Sequence, residues 1–213
     1  MKKTFKFLAD LKLNNEQEWF MDHIGEYERA KTEISDFAYV ILTQLSLIDL
    51  KLDAEINVER FISSVMNIRP KKAITYLGFF DISISPLAND GNEPVYLLHL
   101  DPDHSYISIK YQPDVFGLQV MRNFITKNVS ELESILLDCY ASGFHLEQSS
   151  MLATLPKGYA SGMPGESLIK LKEYELRSNI DFLKPDDERL QDILSTFRSA
   201  LPFVEFLRKG LGL

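Results

Sequence analysis

Asn14-Asn15-Glu16-Gln17-Glu18-Trp19-Phe20 opens the stretch whose reading decides the fold. Asn15 followed three residues later by Glu18 has the spacing of a capping box, in which each side chain satisfies an orphan backbone N–H of the first helical turn. From there Phe20, Ile24, Tyr27, Ile34, Phe37, Ile41 and Leu45 recur at helical spacing, while Glu26, Glu28, Arg29, Lys31, Glu33 and Asp36 fill the opposite face. The pattern predicts one long amphipathic helix over Asn15–Leu47. A stripe of that length needs a broad apolar surface to cover, so a sheet or several helices must lie against it.

Upstream, Thr4–Leu11 reads as a short helix with Phe5, Leu8 and Leu11 facing inward, closed by Lys12-Leu13-Asn14. Downstream, Leu47–Ile56 is a connection, after which the period changes from helical to alternating. Asn57–Met66 and Thr75–Ser85 are rich in β-branched and aromatic residues and read as strands, the alternation being clearest in Phe80, Ile82 and Ile84 against Asp81, Ser83 and Ser85. Pro86–Pro94 is a turn. Val95–Leu100 and Ser105–Tyr111 flank Asp101-Pro102-Asp103-His104 as a hairpin. Helical periodicity returns from Val115 to Ile125 and from Ser130 to Tyr140, the second with Ser130 and Glu133 at capping-box spacing. Phe144–Gly165 is irregular, Glu166–Arg177 reads as a helix, and Pro185-Asp186-Asp187-Glu188 starts a last helix that Pro202 kinks. Strands joined by short turns, with helices before and after, define an α+β class: a single domain over residues 1–213, with a central mainly antiparallel sheet, N-terminal helices, one of them long, and C-terminal helices packed on it.

The chain's 213 residues carry 23 Lys plus Arg against 31 Asp plus Glu, a net charge of −8. That balance argues against general nucleic-acid binding, which depends on clustered positive charge. Cys139 is the single cysteine, so no internal disulfide framework can form, and a reducing cytoplasm fits best. No apolar run reaches the roughly 20 residues of a membrane-spanning helix, and the N-terminus lacks a signal-peptide core. Phosphate-loop, dinucleotide-fingerprint, nucleophile-elbow and His-Glu-x-x-His signatures are absent, and no cofactor is implied.

Several separated motifs carry a family resemblance. They are Phe7-Leu8, Leu11, Asn14-Asn15, Glu18-Trp19-Phe20 and Tyr27; then Tyr96 and Leu98; then Tyr111-Gln112-Pro113, Arg122 and Ile125; then Pro156-Lys157-Gly158-Tyr159; and finally Phe197, Pro202 and Leu207. In this order the chain resembles the family called Domain of Unknown Function 2461, conserved and mainly microbial proteins. The resemblance implies an α+β domain and no settled activity. One segment departs from it. Where the family carries an Arg-Asp pair, an Arg-Phe, and an Asp-Lys followed by Pro-Tyr-Lys, this chain reads Arg60 to Ile74, keeping Arg60 and Lys71 but placing Ser63, Ser64, Met66, Pro70 and Ala73 at the other positions. The chain is a divergent relative.

Arg60, Arg69, Lys71, Lys72 and Arg122, with Tyr111 and Lys157, form the candidate anion site, because guanidinium groups take carboxylate or phosphate bidentately and lysine supplies a compact charge. The plain alternative is a set of surface ion pairs. His99, Asp101, Asp103 and His104 have the chemistry of metal ligands, but Asp-Pro-Asp is also what a tight turn selects, and no metal is assigned. Cys139 on an apolar stripe reads as a buried, inert thiol. Two functions remain open. The first is a binding or interaction module that holds a partner with the Phe144–Gly165 loop and the sheet's uncovered face. The second is an enzyme or sensor for a small anionic metabolite; neither nucleic acid nor membrane is expected as a partner.

Overall fold

The computed structural model describes residues 1–67, 75–86 and 93–213. Arg69, Lys71 and Lys72, and the Asn89–Asn92 centre of the turn before the hairpin, therefore lie outside the described residues. The contacts gather into two compact units: Met1–Asn89, Leu97–Ile107 and Asn179–Leu194 in the first, and Asp90–Tyr96, Ser108–Ser178 and Ser195–Leu213 in the second.

The first unit begins with α1 (Lys2–Leu13), α2 (Gln17–Asp22) and α3 (Ile24–Leu45). Phe5, Leu8 and Leu11 of α1 are buried, as the sequence pattern predicts, and Phe7 is buried with them. The single long helix is corrected. Helix starts at Gln17, not Asn15, and it is broken at His23, whose backbone (φ −109°, ψ 16°) leaves helical geometry. Asn15 does not cap because its side chain is used elsewhere. Its Nδ2 donates to the Tyr76 carbonyl (2.7 Å) and its Oδ1 accepts the Tyr76 N–H (2.8 Å), so it stands in for a neighbouring strand. At the break, the His23 Nδ1 lies 2.8 Å from the Trp19 carbonyl and the imidazole stacks on the Trp19 indole at 4.0 Å. The α3 stripe of Tyr27, Ala30, Ile34, Ala38, Ile41, Leu42 and Leu45 is buried. Ile24 falls outside it and is exposed.

Neither predicted strand after the helices forms as a whole. Val58–Phe61 is a 3₁₀ helix, because the Asn57 side chain accepts the Glu59 N–H (3.0 Å) and starts a helical turn. Only β1 (Met66–Asn67) and a single bridge from Ile62 to Ile82 remain of the extended reading. Thr75–Ser85 divides into β2 (Thr75–Tyr76), antiparallel to β1, and β3 (Phe80–Ile84), with Phe80, Ile82 and Ile84 all fully buried. The division falls at Gly78. A Cβ there would lie 2.1 Å from Cγ of Lys12, whose chain crosses the glycine on its way to Asp101 and Asp103.

β4 (Val95–Leu100) and β5 (Tyr106–Tyr111) are the predicted hairpin strands. The second unit continues with α4 (Val115–Lys127), capped by Asp114, whose Oδ1 accepts the Gly117 N–H at 2.7 Å. Then comes α5 (Val129–Ala141). The predicted Ser130–Glu133 box is not made: α5 begins at Asn128 without a side-chain cap, and the Asn128 amide donates back to Phe124 instead. β6 (His145–Leu146) and α6 (Glu166–Ile169) precede β7 (Tyr174–Asn179). The Glu166–Arg177 helix is thus corrected to one turn followed by a strand, which pairs antiparallel with β6 through His145↔Arg177 and Leu146↔Leu176. Glu, Leu, Lys and Arg favour helix only weakly, and ladder pairing outweighs them here. The five-stranded antiparallel sheet has the order β3-β4-β5-β7-β6. The last helix is two, α7 (Asp186–Ser199) and α8 (Leu201–Leu211), with Pro202 in the first turn of α8, where its missing N–H costs no bond. In the second unit's core Tyr96 meets Phe197 edge-on at 5.1 Å, and Phe124 meets Phe206 at 5.0 Å.

Gly78→Ala should destabilise the protein by about 1–3 kcal/mol, the usual cost of forcing atoms into occupied space. In a Lys12→Ala background the same change should be close to neutral, because the atoms it collides with are gone. Urea titration of the four proteins in this cycle measures the coupling directly.

Candidate anion-binding site

Two clusters of polar side chains stand out, one in each unit. In the first unit, the His99 Nδ1 lies 2.6 Å from Asp81 Oδ1, and its ring sits 4.6 Å from each of the Phe79 and Tyr106 rings. The other nitrogen, Nε2, is 3.9 Å from Asp101 Oδ2. Asp101 Oδ1 accepts from Lys12 Nζ (2.6 Å) and from the Asp103 N–H (2.8 Å), and Lys12 also donates to Asp103 (2.7 Å). His99 and Asp101 do lie on one side of their strand, as their spacing predicts, but Asp81 and Lys12 supply their partners. Among the described residues no group of three His, Cys, Asp or Glu side chains is placed to hold a metal ion.

Burial pushes the Asp101 carboxyl upward, but Lys12 and the Asp103 and His104 amides outweigh it and hold the carboxyl below the usual carboxylate range. A depressed carboxyl pKa adds stability that is present above the unfolded value and lost as the pH falls through the folded one.

The second cluster surrounds Tyr174 at the start of β7. Tyr174 is 1% exposed and its hydroxyl has no hydrogen-bond partner. The Tyr111 ring at the end of β5 stacks on it, 6.5 Å between centroids and 15° between planes. The Tyr111 hydroxyl lies against Gly117, where a Cβ would come within 2.8 Å of it. Burial, with Asp114 close by, pushes Tyr111 up to about 12. Burial raises Tyr174 as well, against the pull of the Arg122 charge.

Arg122, on α4, acts on this hydroxyl through its charge. Its residue is 7% exposed, Nη2 donates to the Leu171 carbonyl at 2.9 Å, and Nε has no hydrogen-bond partner. No carboxylate pairs with it among the described residues. The irregular loop contributes Tyr159, which also acts on Tyr174. Its hydroxyl donates to Asn123 Oδ1 (2.9 Å) and accepts from Gln119 Nε2 (3.0 Å), Asn123 being next to Arg122 on α4 and Gln119 one turn before it.

Of the sequence-predicted anion residues, Tyr111 stacks on Tyr174 and Arg122 acts on it through its charge. Lys157 is exposed on the loop that carries Tyr159, Arg60 is exposed on the 3₁₀ helix of the first unit, and Arg69, Lys71 and Lys72 lie outside the described residues. Tyr174 is the residue that sequence reasoning missed, because it was placed inside a helix. Read as a strand, Tyr174, Leu176 and Ser178 alternate onto one face, which would have set Tyr174 beside Tyr111.

The fold is that of an α+β protein built on a five-stranded antiparallel sheet. Residues 3–206 match the family described as conserved hypothetical protein (DUF2461), and the chain belongs to that family. No curated protein and no solved structure matches the chain. Among the described residues no helix is long and apolar enough to cross a membrane.

Lys12→Met should lower the thermal midpoint at pH 7, and the difference from the wild type should shrink as the pH falls below about 4, where an unpaired aspartate is itself protonated. Midpoints measured from pH 7 to pH 3 check this. A constant difference across that range would mean that the lysine acts by packing alone.

Proposed function

We propose that this protein is a binding module for a small anionic ligand, carboxylate- or phosphate-bearing, taken up at Arg122 in the second unit. One observation carries the reading: a guanidinium more than nine-tenths buried has a single backbone acceptor, an unsatisfied Nε and no carboxylate partner among the described residues. Burying a charge without a counter-charge is costly, and an anion that binds there repays it with charge-assisted hydrogen bonds. The unpartnered Tyr174 hydroxyl beside it supports the same chemistry, as a neutral donor to an anionic oxygen.

Turnover is not part of the proposal. Tyr111, at about 12, stays protonated at physiological pH, Tyr174 is raised too, and arginine does not titrate in that range. The site offers donors and no base. The Phe144–Gly165 loop enters the reading as the source of Tyr159. The net charge of −8 favours a small ligand over a polyanion such as nucleic acid, and the reducing cytoplasm fits the single buried cysteine.

The test is a thermal-shift series with small carboxylates and phosphates on the wild type and on Arg122→Met. A ligand at about 100 times its Kd adds about 2.7 kcal/mol, or roughly 5–10 °C in a chain of this size. The methionine variant keeps the buried stem and removes the charge, so its unliganded stability should fall no more than about 1 kcal/mol below the wild type. Its response to anions should vanish. A variant several kcal/mol less stable, together with no shift in the wild type, would make Arg122 a structural residue.

A further inference from the structure

We infer that the ligand of the Arg122 site is a monocarboxylate and not a phosphate ester, a step that rests on the anion-binding reading above. The charge at the site decides between them. Arg122 supplies one full positive charge to Tyr174. The other side chains around Tyr174 are neutral: the Tyr111 and Tyr159 hydroxyls, with the Gln119 and Asn123 amides that hold Tyr159. Lys157, on the same loop as Tyr159, is exposed. A carboxylate brings one negative charge and is balanced by Arg122. A phosphate monoester at pH 7 brings close to two, and the single guanidinium balances only one of them, leaving the second to be desolvated unpaired.

The unused edge of the guanidinium fits the same class. Nη2 gives one of its two hydrogens to Leu171, and the neighbouring Nε–H is unpartnered, so a two-oxygen planar acceptor can take Nε–H and the remaining Nη2–H side by side. That is the fork that arginine presents to carboxylates. The Tyr174 hydroxyl then donates to one of the same oxygens. At the N-terminal end of the same helix, Val115 and Phe116 are 89% and 76% exposed, so an apolar body attached to the carboxylate has surface to lie on.

Calorimetric titration with 3-phenylpropionate, phenyl phosphate and 3-phenylpropionamide tests this, because the three share a ring and differ in head-group charge. Acetate and inorganic phosphate, small enough to enter any site that admits their head groups, control for shape. The wild type should bind phenylpropionate at least tenfold more tightly than phenyl phosphate at pH 7.5 and should ignore the amide. Phenyl phosphate should gain affinity as the pH is lowered through about 6, where it becomes a monoanion, while phenylpropionate stays level. Arg122→Met should abolish binding, and Tyr174→Phe should weaken it about tenfold with the fold intact by circular dichroism. Phosphates that bind as tightly as the carboxylates, or more tightly, in an Arg122-dependent way would overturn the monocarboxylate inference and leave the anion site standing. Binding by neither class, or binding that survives Arg122→Met, would overturn both.

Discussion

One asparagine side chain sets the frame of the first unit. By giving its amide hydrogen to the Tyr76 carbonyl and taking the Tyr76 N–H on its carbonyl oxygen, Asn15 does for strand β2 what a neighbouring strand would do. A side chain committed in this way cannot cap a helix, so α2 begins two residues later, at Gln17. The same clamp fixes where α2 lands. Phe20 stacks on the Tyr76 ring at 4.2 Å, Tyr27 of α3 packs on Phe20 at 5.2 Å, and Phe80 of β3 lies parallel to Tyr27 at 6.4 Å. Three residues before Asn15, Lys12 crosses the bare backbone of Gly78 and ties α1 to the hairpin tip at Asp101. Helix, strand break and hairpin are thus held by two polar side chains that leave the same short turn.

In the second unit the corresponding constraint is an unpaired charge. α4 is fixed at its start by the Asp114 cap and by the close approach of Tyr111 to Gly117, where any Cβ would displace the tyrosine hydroxyl. With the helix so placed, Arg122 is buried with its Nη2 on the Leu171 carbonyl, and its charge acts on Tyr174. Native proteins pair most such groups, and Arg189 and Arg208, which like Arg122 keep an Nε without a hydrogen-bond partner, each lie against a carboxylate. Arg189 is held by the Phe182 and Lys184 carbonyls and by Asp186, and Arg208 lies 3.8 Å from Glu93. Arg122 differs in having no carboxylate partner among the described residues, and local shortfalls of that kind collect at functional sites because a ligand completes them.

What could be read from the sequence was whatever rested on local signals. The acidic first turn of α7, the Asp101-Pro102-Asp103 hairpin tip and the alternation of Phe80, Ile82 and Ile84 are decided within a few residues, and each appears in the fold. The breaks were not legible, because each depends on a residue distant in sequence: Tyr76 for the start of α2, Lys12 for the gap at Gly78, and β6 for the conversion of a helix-like Tyr174–Asn179 into a strand. The site follows the same division. Arg122 and Tyr111 were within reach as a cation and an aromatic in the motifs shared with the family, whereas Tyr174 joins them only through sheet pairing.

The proton chemistry of the two units separates binding from turnover. A catalytic acid or base needs a group that changes charge near the working pH. Near Arg122, Tyr111 and Tyr174 are raised away from neutrality by burial, and the thiol of the same unit, Cys139, is pushed up to about 11 by burial and points at the Ser199 carbonyl. The first unit does hold an imidazole, but His99 is engaged by Asp81 on one nitrogen and faces Asp101 with the other, while Asp101 is itself held by Lys12 and two backbone amides. An imidazole whose two nitrogens both face fixed carboxylates holds structure together. The donors that the proposed anion would meet, the Arg122 Nε and the Tyr174 hydroxyl, lack hydrogen-bond partners among the described residues.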